Sequence, residues 1–248
     1  MRFKSIIKTA VYAALFSVLI LQGGCLNFGT GGTTRGNGRM ITDVFSHDGV
    51  ITKINIIGMP AILNLIPESS NEVIYTIDEN LKDLLEITHR NGVLTIGTRN
   101  NVSISGNGIT FNIATDKLEE ILVNGATTIE GKGTFTADTF TLEVRGAGGA
   151  ELALNVQSMS VVVSGAARID LSGTADNLNI YNNGTALIAA RKLIARDVVV
   201  QLNGAGSIQV HAERTLDASI SGVGSINYWG DPVLTQSVNG LGSIRRGE

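Results

Sequence analysis

Three acidic residues stand at the same place in successive repeats of the sequence. Glu130, Glu151 and Asp170 each follow an isoleucine or alanine that comes after a corner of small residues. A pair of carboxylates on one face can catalyse glycoside hydrolysis. Carboxylates that bind a metal ion, together with a Lys or Arg, can catalyse other reactions on polysaccharides. No Lys or Arg recurs beside these residues. We therefore favour an acidic stripe that keeps a stack of strands soluble, with a polysaccharide-acting β-helix enzyme as the alternative.

Other catalytic and cofactor-binding motifs are missing from the sequence. The histidines His47, His89 and His211 stand in distant segments, without the spacing of metal ligands. The motifs "GAGSIQ" and "GVGSIN" lack the third glycine of a dinucleotide fingerprint and lead into strands. We therefore expect no catalytic residue, no metal and no cofactor. A formal net charge of −3 provides no basic field for nucleic acid, which we exclude as a partner.

One aromatic residue is a candidate for contact with a partner. In a strand, successive side chains point to opposite faces, so Tyr228 on an inward column leaves Trp229 pointing outward. We expect Trp229, together with Glu130, Glu151 and Asp170, to form a contact surface. A glycan or another envelope protein is the expected partner.

A repeat built on a glycine corner positions these residues. Positions two and four before each corner glycine are mostly aliphatic and the positions between them mostly polar, which indicates a strand. Two residues after the glycine the side chain is always small. Glycine allows a sharp bend and leaves room for neighbouring backbone. The corner glycines, at spacings of 19, 21, 19, 19, 20, 18 and 18 residues, are Gly106, Gly125, Gly146, Gly165, Gly184, Gly204, Gly222 and Gly240.

Units of this length are too short for a helical crossover between parallel strands. A coil with one unit per turn places equivalent residues directly above one another, so the aliphatic columns merge into one core. The sequence therefore predicts an all-β protein with a parallel β-solenoid over residues 101–248, at about 19 residues per rung. A β-sandwich with coincidental similarity between strands is the alternative.

Residues 43–100 have a different pattern. Alternating segments here are separated by turns, and Asn91-Gly92 suits a type I′ hairpin turn. We expect these residues to form β hairpins that cap the solenoid and pack on it.

The N-terminus has the pattern of an export signal. A basic start is followed by the apolar stretch Thr9–Leu21 and then by small residues before Cys25, the single cysteine of the chain. Residues 1–24 resemble a bacterial lipoprotein signal peptide, although Gln22 stands where an aliphatic residue is usual. The resemblance implies that Cys25 is lipid-modified and anchors the protein in a membrane. Leu26 after it, in place of Asp, is compatible with the outer membrane. Residues 25–42 are predicted to form a flexible tether.

The corners resemble those of the auto-transporter adhesin head, or GIN, domain family of bacterial envelope proteins. The resemblance covers about 45–245 and includes "VRGAGGAEL", "VSGAARIDL", "LNGAGSIQV" and "ISGVGSINYWGDP". The family implies a right-handed β-helix-like fold. We therefore expect a non-enzymatic, lipid-anchored envelope protein whose solenoid serves adhesion or envelope assembly. A self-associating structural protein is a further alternative, and the sequence leaves the oligomeric state and the surface or periplasmic orientation open.

Overall fold

The computed structural model describes residues 32–106 and 108–248. Strands make up 75% of it and helix 4%, which confirms the all-β prediction. No helix in the described ranges is long and apolar enough to cross a membrane. The strands are β1 (Thr34–Arg35), β2 (Met40–Ser46), β3 (Lys53–Ile66), β4 (Glu72–Asp78), β5 (Leu85–Arg90), β6 (Val93–Thr98), β7 (Ile104–Ser105), β8 (Thr110–Ala114), β9 (Glu120–Val144), β10 (Ala147–Val163), β11 (Ala166–Asn182), β12 (Thr185–Leu202), β13 (Ala205–Ile220), β14 (Val223–Trp229), β15 (Val233–Val238) and β16 (Leu241–Arg246). Two short 3₁₀ helices span Glu79–Leu84 and Arg99–Asn101.

The long strands coil into a parallel β-solenoid of about six turns with roughly 19 residues per turn. From β9 to β13 each strand pairs in parallel with the next, and β13 pairs with β14 and β15. The predicted columns are in register, because successive turns align Ile129, Ala150, Ile169, Ile188, Ile208, Ile226 and Ile244. The solenoid prediction is therefore confirmed.

Aliphatic side chains from successive turns form one continuous core. Val161, Ile180, Val200 and Ala218 form one inward column, and each is fully buried. Asn182 is the buried polar member of a neighbouring aliphatic column. Its side chain donates to the carbonyl oxygen of Ala205 and accepts from the amide of Gly184, so its burial leaves no hydrogen-bonding group unpaired.

The corner glycines stack so closely that a side chain has no room. A Cβ atom on Gly165 would overlap the carbonyl oxygen of Gly146, and one on Gly184 would overlap that of Gly165. The same contact recurs at Gly204, Gly222 and Gly240. None of these corner glycines has a positive φ. The column therefore requires glycine for its missing Cβ and not for its conformational freedom.

The start of the repeat differs from the prediction. β3 lies between β8 and β9, and it pairs Ile54 with Ile121 and Leu63 with Ile129. Ile104, from the predicted first repeat, pairs instead with Thr34. The prediction that the Gly106 corner stacks directly on the Gly125 corner is therefore wrong. A strand from the segment predicted to form the cap is itself a rung, and it lacks the glycine motif that marks the others.

Antiparallel strands close the N-terminal end of the ladder. β4 pairs with both β2 and β8. The hairpin of β5 and β6 turns at Asn91 and Gly92, whose φ values of 51° and 79° confirm a turn that needs two left-handed residues. Part of the predicted tether joins this region, because β1 pairs with β7 and the amide of Gly38 donates to Asp78 Oδ1 at 2.6 Å.

The C-terminal end of the ladder is a single open rung. β15 and β16 each pair with one neighbour in the ladder, and Val233 and Leu241 on them are 75% and 77% exposed. Two of the columns turn polar on this rung, where Gln236 follows Ala218 and Arg246 follows Tyr228. Charged and polar groups at an open edge discourage pairing with another chain.

The glycine column leads to a stability prediction. Gly165→Ala should lower the free energy of unfolding by about 3 kcal/mol, because the added methyl group must push two rungs apart. Gly149→Ala is the matched control, since its Cβ would make only an ordinary 3.5 Å contact with the carbonyl oxygen of Arg168. We expect the control to change stability by less than about 1 kcal/mol. Urea unfolding of the full chain measures both, and equal losses would contradict the steric explanation.

Candidate functional surface

The three predicted acidic residues lie side by side on one outward face. Glu151 of β10 aligns with Glu130 of β9 on one side and with Asp170 of β11 on the other. Neighbouring strands of a sheet are about 4.8 Å apart, so these carboxylates form a short acidic column. Like charges at this spacing repel one another, and the column needs nearby positive charge.

Basic side chains that do not follow the repeat supply that charge. Lys132 Nζ lies 2.7 Å from Glu130 Oε2, and Arg168 Nε lies 3.3 Å from Asp170 Oδ2. No base recurs at a fixed position in the repeat, and these two rungs each supply one from a different position. These pairs are exposed and add little stability. Their effect is to neutralise two of the three carboxylates.

Irregular rungs place further bases beside the column. β9 has three residues, Gly131 to Gly133, where β10 has only Leu152, and this bulge carries Lys132. β12 has a similar bulge, Arg191 to Leu193, whose residues have no partner in β13. The β12 residues on either side of it pair with Val210 and His211, which are consecutive in β13. A bulge redirects side chains out of the regular ladder. The rungs of 21 and 20 residues thus carry their extra residues beside the acidic column.

A shallow groove joins the acidic column to these bases. It has a volume of about 400 Å³, and its lining includes Glu151, Asp170, Arg191, Lys192 and Gln209. The guanidinium carbon of Arg191 also lies 4.2 Å from the ring centroid of Trp229, within the range of a cation–π contact. Arg191 therefore links the acidic column to Trp229. We call the surface formed by Glu151, Asp170, Arg191, Lys192 and Trp229 the Trp229 face.

Trp229 itself is half-buried. Arg191 lies over its ring, and its indole Nε1 donates to the backbone carbonyl of Glu248 at 3.1 Å. Tyr228 packs partly against the core, in line with Val210. The tryptophan is therefore held in place on the outer surface by its neighbours.

A second, larger groove runs along another corner of the solenoid. Its volume is about 670 Å³, and it crosses rungs from Glu119 to Glu213. Polar side chains bond from rung to rung along it: Gln157 donates to Asp138 at 2.9 Å, and Thr174 donates to Asn155 at 3.0 Å. The sequence analysis did not identify this groove, although its polar residues recur at the same 19-residue spacing.

An ion pair next to this second groove has a marked electrostatic effect. Arg214 and Thr215 both donate to the carboxylate of Asp197, Arg214 Nε at 2.8 Å and Thr215 Oγ1 at 2.6 Å. These hydrogen bonds favour the charged form and lower the pKa of Asp197 from 3.8 to about 2.

The structure also brings together two histidines that are far apart in the sequence. His47 follows β2 and His89 lies on β5, and their ring centroids are 4.7 Å apart. Burial and the neighbouring His89 lower the pKa of His47. His211 lies elsewhere, aligned with Trp229. In the described ranges, no group of three or more His, Cys, Asp and Glu side chains forms a metal site. Cys25, the predicted lipidation site, lies outside the described residues.

The fold and this surface define a parallel β-solenoid with columns of outward polar side chains. The family model described as "Putative auto-transporter adhesin, head GIN domain" matches residues 52–232. The chain therefore belongs to that family, and the resemblance seen in the sequence is confirmed. Among curated proteins, none matches the chain.

Solved structures of proteins from Bacteroides and Parabacteroides share the fold. A protein of Bacteroides fragilis named a putative adhesin superposes with a TM-score of 0.80 at 23% identity, over 86% of this chain and 99% of that chain. A putative adhesin of Parabacteroides merdae gives 0.59 at 19% identity, over 87% and 99%. A putative lipid binding protein of Parabacteroides distasonis gives 0.58 at 23% identity, over 88% and 100%. At these identities the likeness concerns the fold alone.

The Asp197 contacts lead to a titration prediction. Because the folded pKa is lowered, the carboxylate favours the folded state above pH 3.8, and this contribution is lost as the pH falls through about 2. Arg214→Ala should raise the pKa of Asp197 towards 3.8, since the largest cause of the shift is removed. Carbon-detected NMR titration of the side-chain carboxylate measures it. Arg168→Ala is the control, and an unchanged pKa in the Arg214 variant would contradict the assignment.

Proposed function

We propose that this chain is a non-enzymatic, lipid-anchored protein of the cell envelope whose solenoid binds a partner through the Trp229 face. The observation that carries the proposal is the cation–π contact between Arg191 and Trp229. Arg191 also lines the groove beside the acidic column, so the column and the aromatic ring belong to one continuous surface. The family, named for adhesin heads, supports a role in adhesion. A glycan or another envelope protein is the partner that this chemistry fits.

The solenoid is a suitable support for recognition by surface side chains. Its outward residues project from a hydrogen-bonded ladder, so the backbone beneath them loses little freedom when a partner binds. Tryptophan and arginine are the residues that most often dominate binding energy at interfaces. Carboxylates, bases and Gln209 around them offer hydrogen bonds to hydroxyl or amide groups.

The ion pairs favour binding over catalysis. A glycosidase keeps one carboxylic acid protonated and a second carboxylate free to act as nucleophile or base. Glu130 and Asp170 are instead each paired with a base two residues away along the chain. We therefore place the acidic column in recognition of a partner.

The anchor completes the proposed arrangement. A lipid-modified Cys25 after removal of residues 1–24 would hold the folded unit at a membrane, and Leu26 fits the outer membrane. Several acyl chains on one residue suffice for stable attachment.

Binding is tested with cells that display the full chain, applied to arrays of acidic and neutral glycans and to immobilised envelope proteins. Arg191→Ala and Asp170→Lys should each lower binding at least tenfold, because they remove the support of Trp229 and reverse one charge of the face. Asp217→Lys is the matched control, since this exposed residue lies on β13 beyond the Trp229 face. Binding that survives both changes would overturn the assignment of the surface.

The same glycans are assayed for new reducing ends and for unsaturated products. We expect neither. Turnover that is lost in Glu151→Gln would overturn the non-enzymatic proposal.

The anchor is tested by fractionating cells that express the wild type or Cys25→Ser. We expect the wild type in the membrane fraction and the variant in the soluble fraction, because only the wild type has a cysteine to modify. Protease added to intact cells should cut the wild type if the solenoid faces outward. Protection until the envelope is opened would contradict adhesion and favour a role in envelope assembly.

A further inference from the structure

The buried His47 and the half-buried His89 form a pair at the N-terminal end of the ladder. His47 follows the last residue of β2, and its amide donates to the carbonyl of Asn71 at 2.9 Å. His89 lies on β5, opposite Leu94 of β6. His47 is only 7% exposed, and its ring meets that of His89 at an interplanar angle of 62°. The pair thus joins the β2 edge to the β5–β6 hairpin.

The hydrogen bonding of His47 determines which nitrogen is free. Nδ1 of His47 lies 3.1 Å from the carbonyl oxygen of Gly49. A carbonyl oxygen only accepts, so Nδ1 carries the proton and, in the neutral ring, Nε2 keeps a lone pair. A backbone carbonyl on the far nitrogen is the usual companion of a metal-binding histidine, since it holds the ring and its tautomer in place.

Both Nε2 atoms are buried and without a partner. Nε2 of His47 and Nε2 of His89 have no hydrogen bond. Buried polar atoms in folded proteins nearly always have a partner, and an ion or a bound water is the common explanation where the protein supplies none. Two such nitrogens on adjacent rings are an unusual coincidence for a packing contact alone.

The separation of the rings fits one shared ion. Imidazoles that bind a metal through nitrogen at about 2.0–2.1 Å have their centroids about 3.2 Å from it. Two such rings on a tetrahedral ion would have their centroids about 5.2 Å apart. The observed 4.7 Å is within about 0.5 Å of that separation, so a small movement of either ring would let both imidazoles reach one ion.

We propose that His47 and His89 bind one divalent transition-metal ion, of the zinc type, that cross-links β2 to β5. Imidazole nitrogen is a preferred ligand of such ions. The exposed turn at Asp48, Gly49 and Val50 gives the ion a route from solvent, and Asp48 adds negative charge near His47. The site is independent of the Trp229 face.

Zn²⁺ alone is the probe, added to the full chain in its Cys25→Ser form so that no thiol competes. Long-range ¹H–¹⁵N NMR of the imidazoles should show the Nε2 signals of His47 and His89 shifting together, with saturation at one ion per chain. His211 is the internal control and should stay unchanged. Zn²⁺ should also raise the melting temperature, because it binds the folded state.

Two substitutions separate metal binding from folding. His89→Ala and His47→Phe should each abolish the shift and the stabilisation by Zn²⁺, whereas His211→Ala should retain both. Circular dichroism checks that each variant keeps the β-sheet spectrum. Unmoved His47 and His89 signals at saturating Zn²⁺ would overturn the proposal, as would stabilisation that persists in both pair variants.

Discussion

The close stacking of backbone at the glycine corner is the constraint on which the rest of the structure depends. From Gly146 to Gly240 each corner glycine lies against the carbonyl oxygen of the glycine one turn below, with no space for a Cβ atom. This contact keeps the rungs at the spacing of a hydrogen-bonded sheet while the chain turns sharply. With that spacing set, the aliphatic columns meet and form a continuous core.

Register is the consequence that matters for function. Because every turn repeats the one below, a side chain on the outer face has equivalents directly above and below it. Glu130, Glu151 and Asp170 become neighbours for this reason, although about 20 residues separate each from the next. Regular rungs alone would supply one base, Arg168, to three adjacent carboxylates. The bulges in β9 and β12 break the regularity and bring Lys132, Arg191 and Lys192 to the same face.

Much of the solenoid could be predicted from the chain because its determinants are local and repeated. The alternation around Val161 and Val163 and the small residues at Gly165 and Ala167 recur at almost constant spacing. The deviations from that spacing were the available signal for the bases, since the two longer rungs contain the bulges. The insertion of β3 gave no such signal, because its corner at Gly58 and Met59 departs from the glycine motif of the other rungs.

The sequence by itself determined the parallel coil, its inward columns and the acidic column, because a strand's alternation and a fixed repeat specify which residues share a face. Only the tertiary structure decided the place of β3 between β8 and β9, the contact of Arg191 with Trp229 and the pairing of His47 with His89. Each of these joins segments with no common motif or spacing. Their proximity depends on how the chain packs in three dimensions, and no local pattern encodes it.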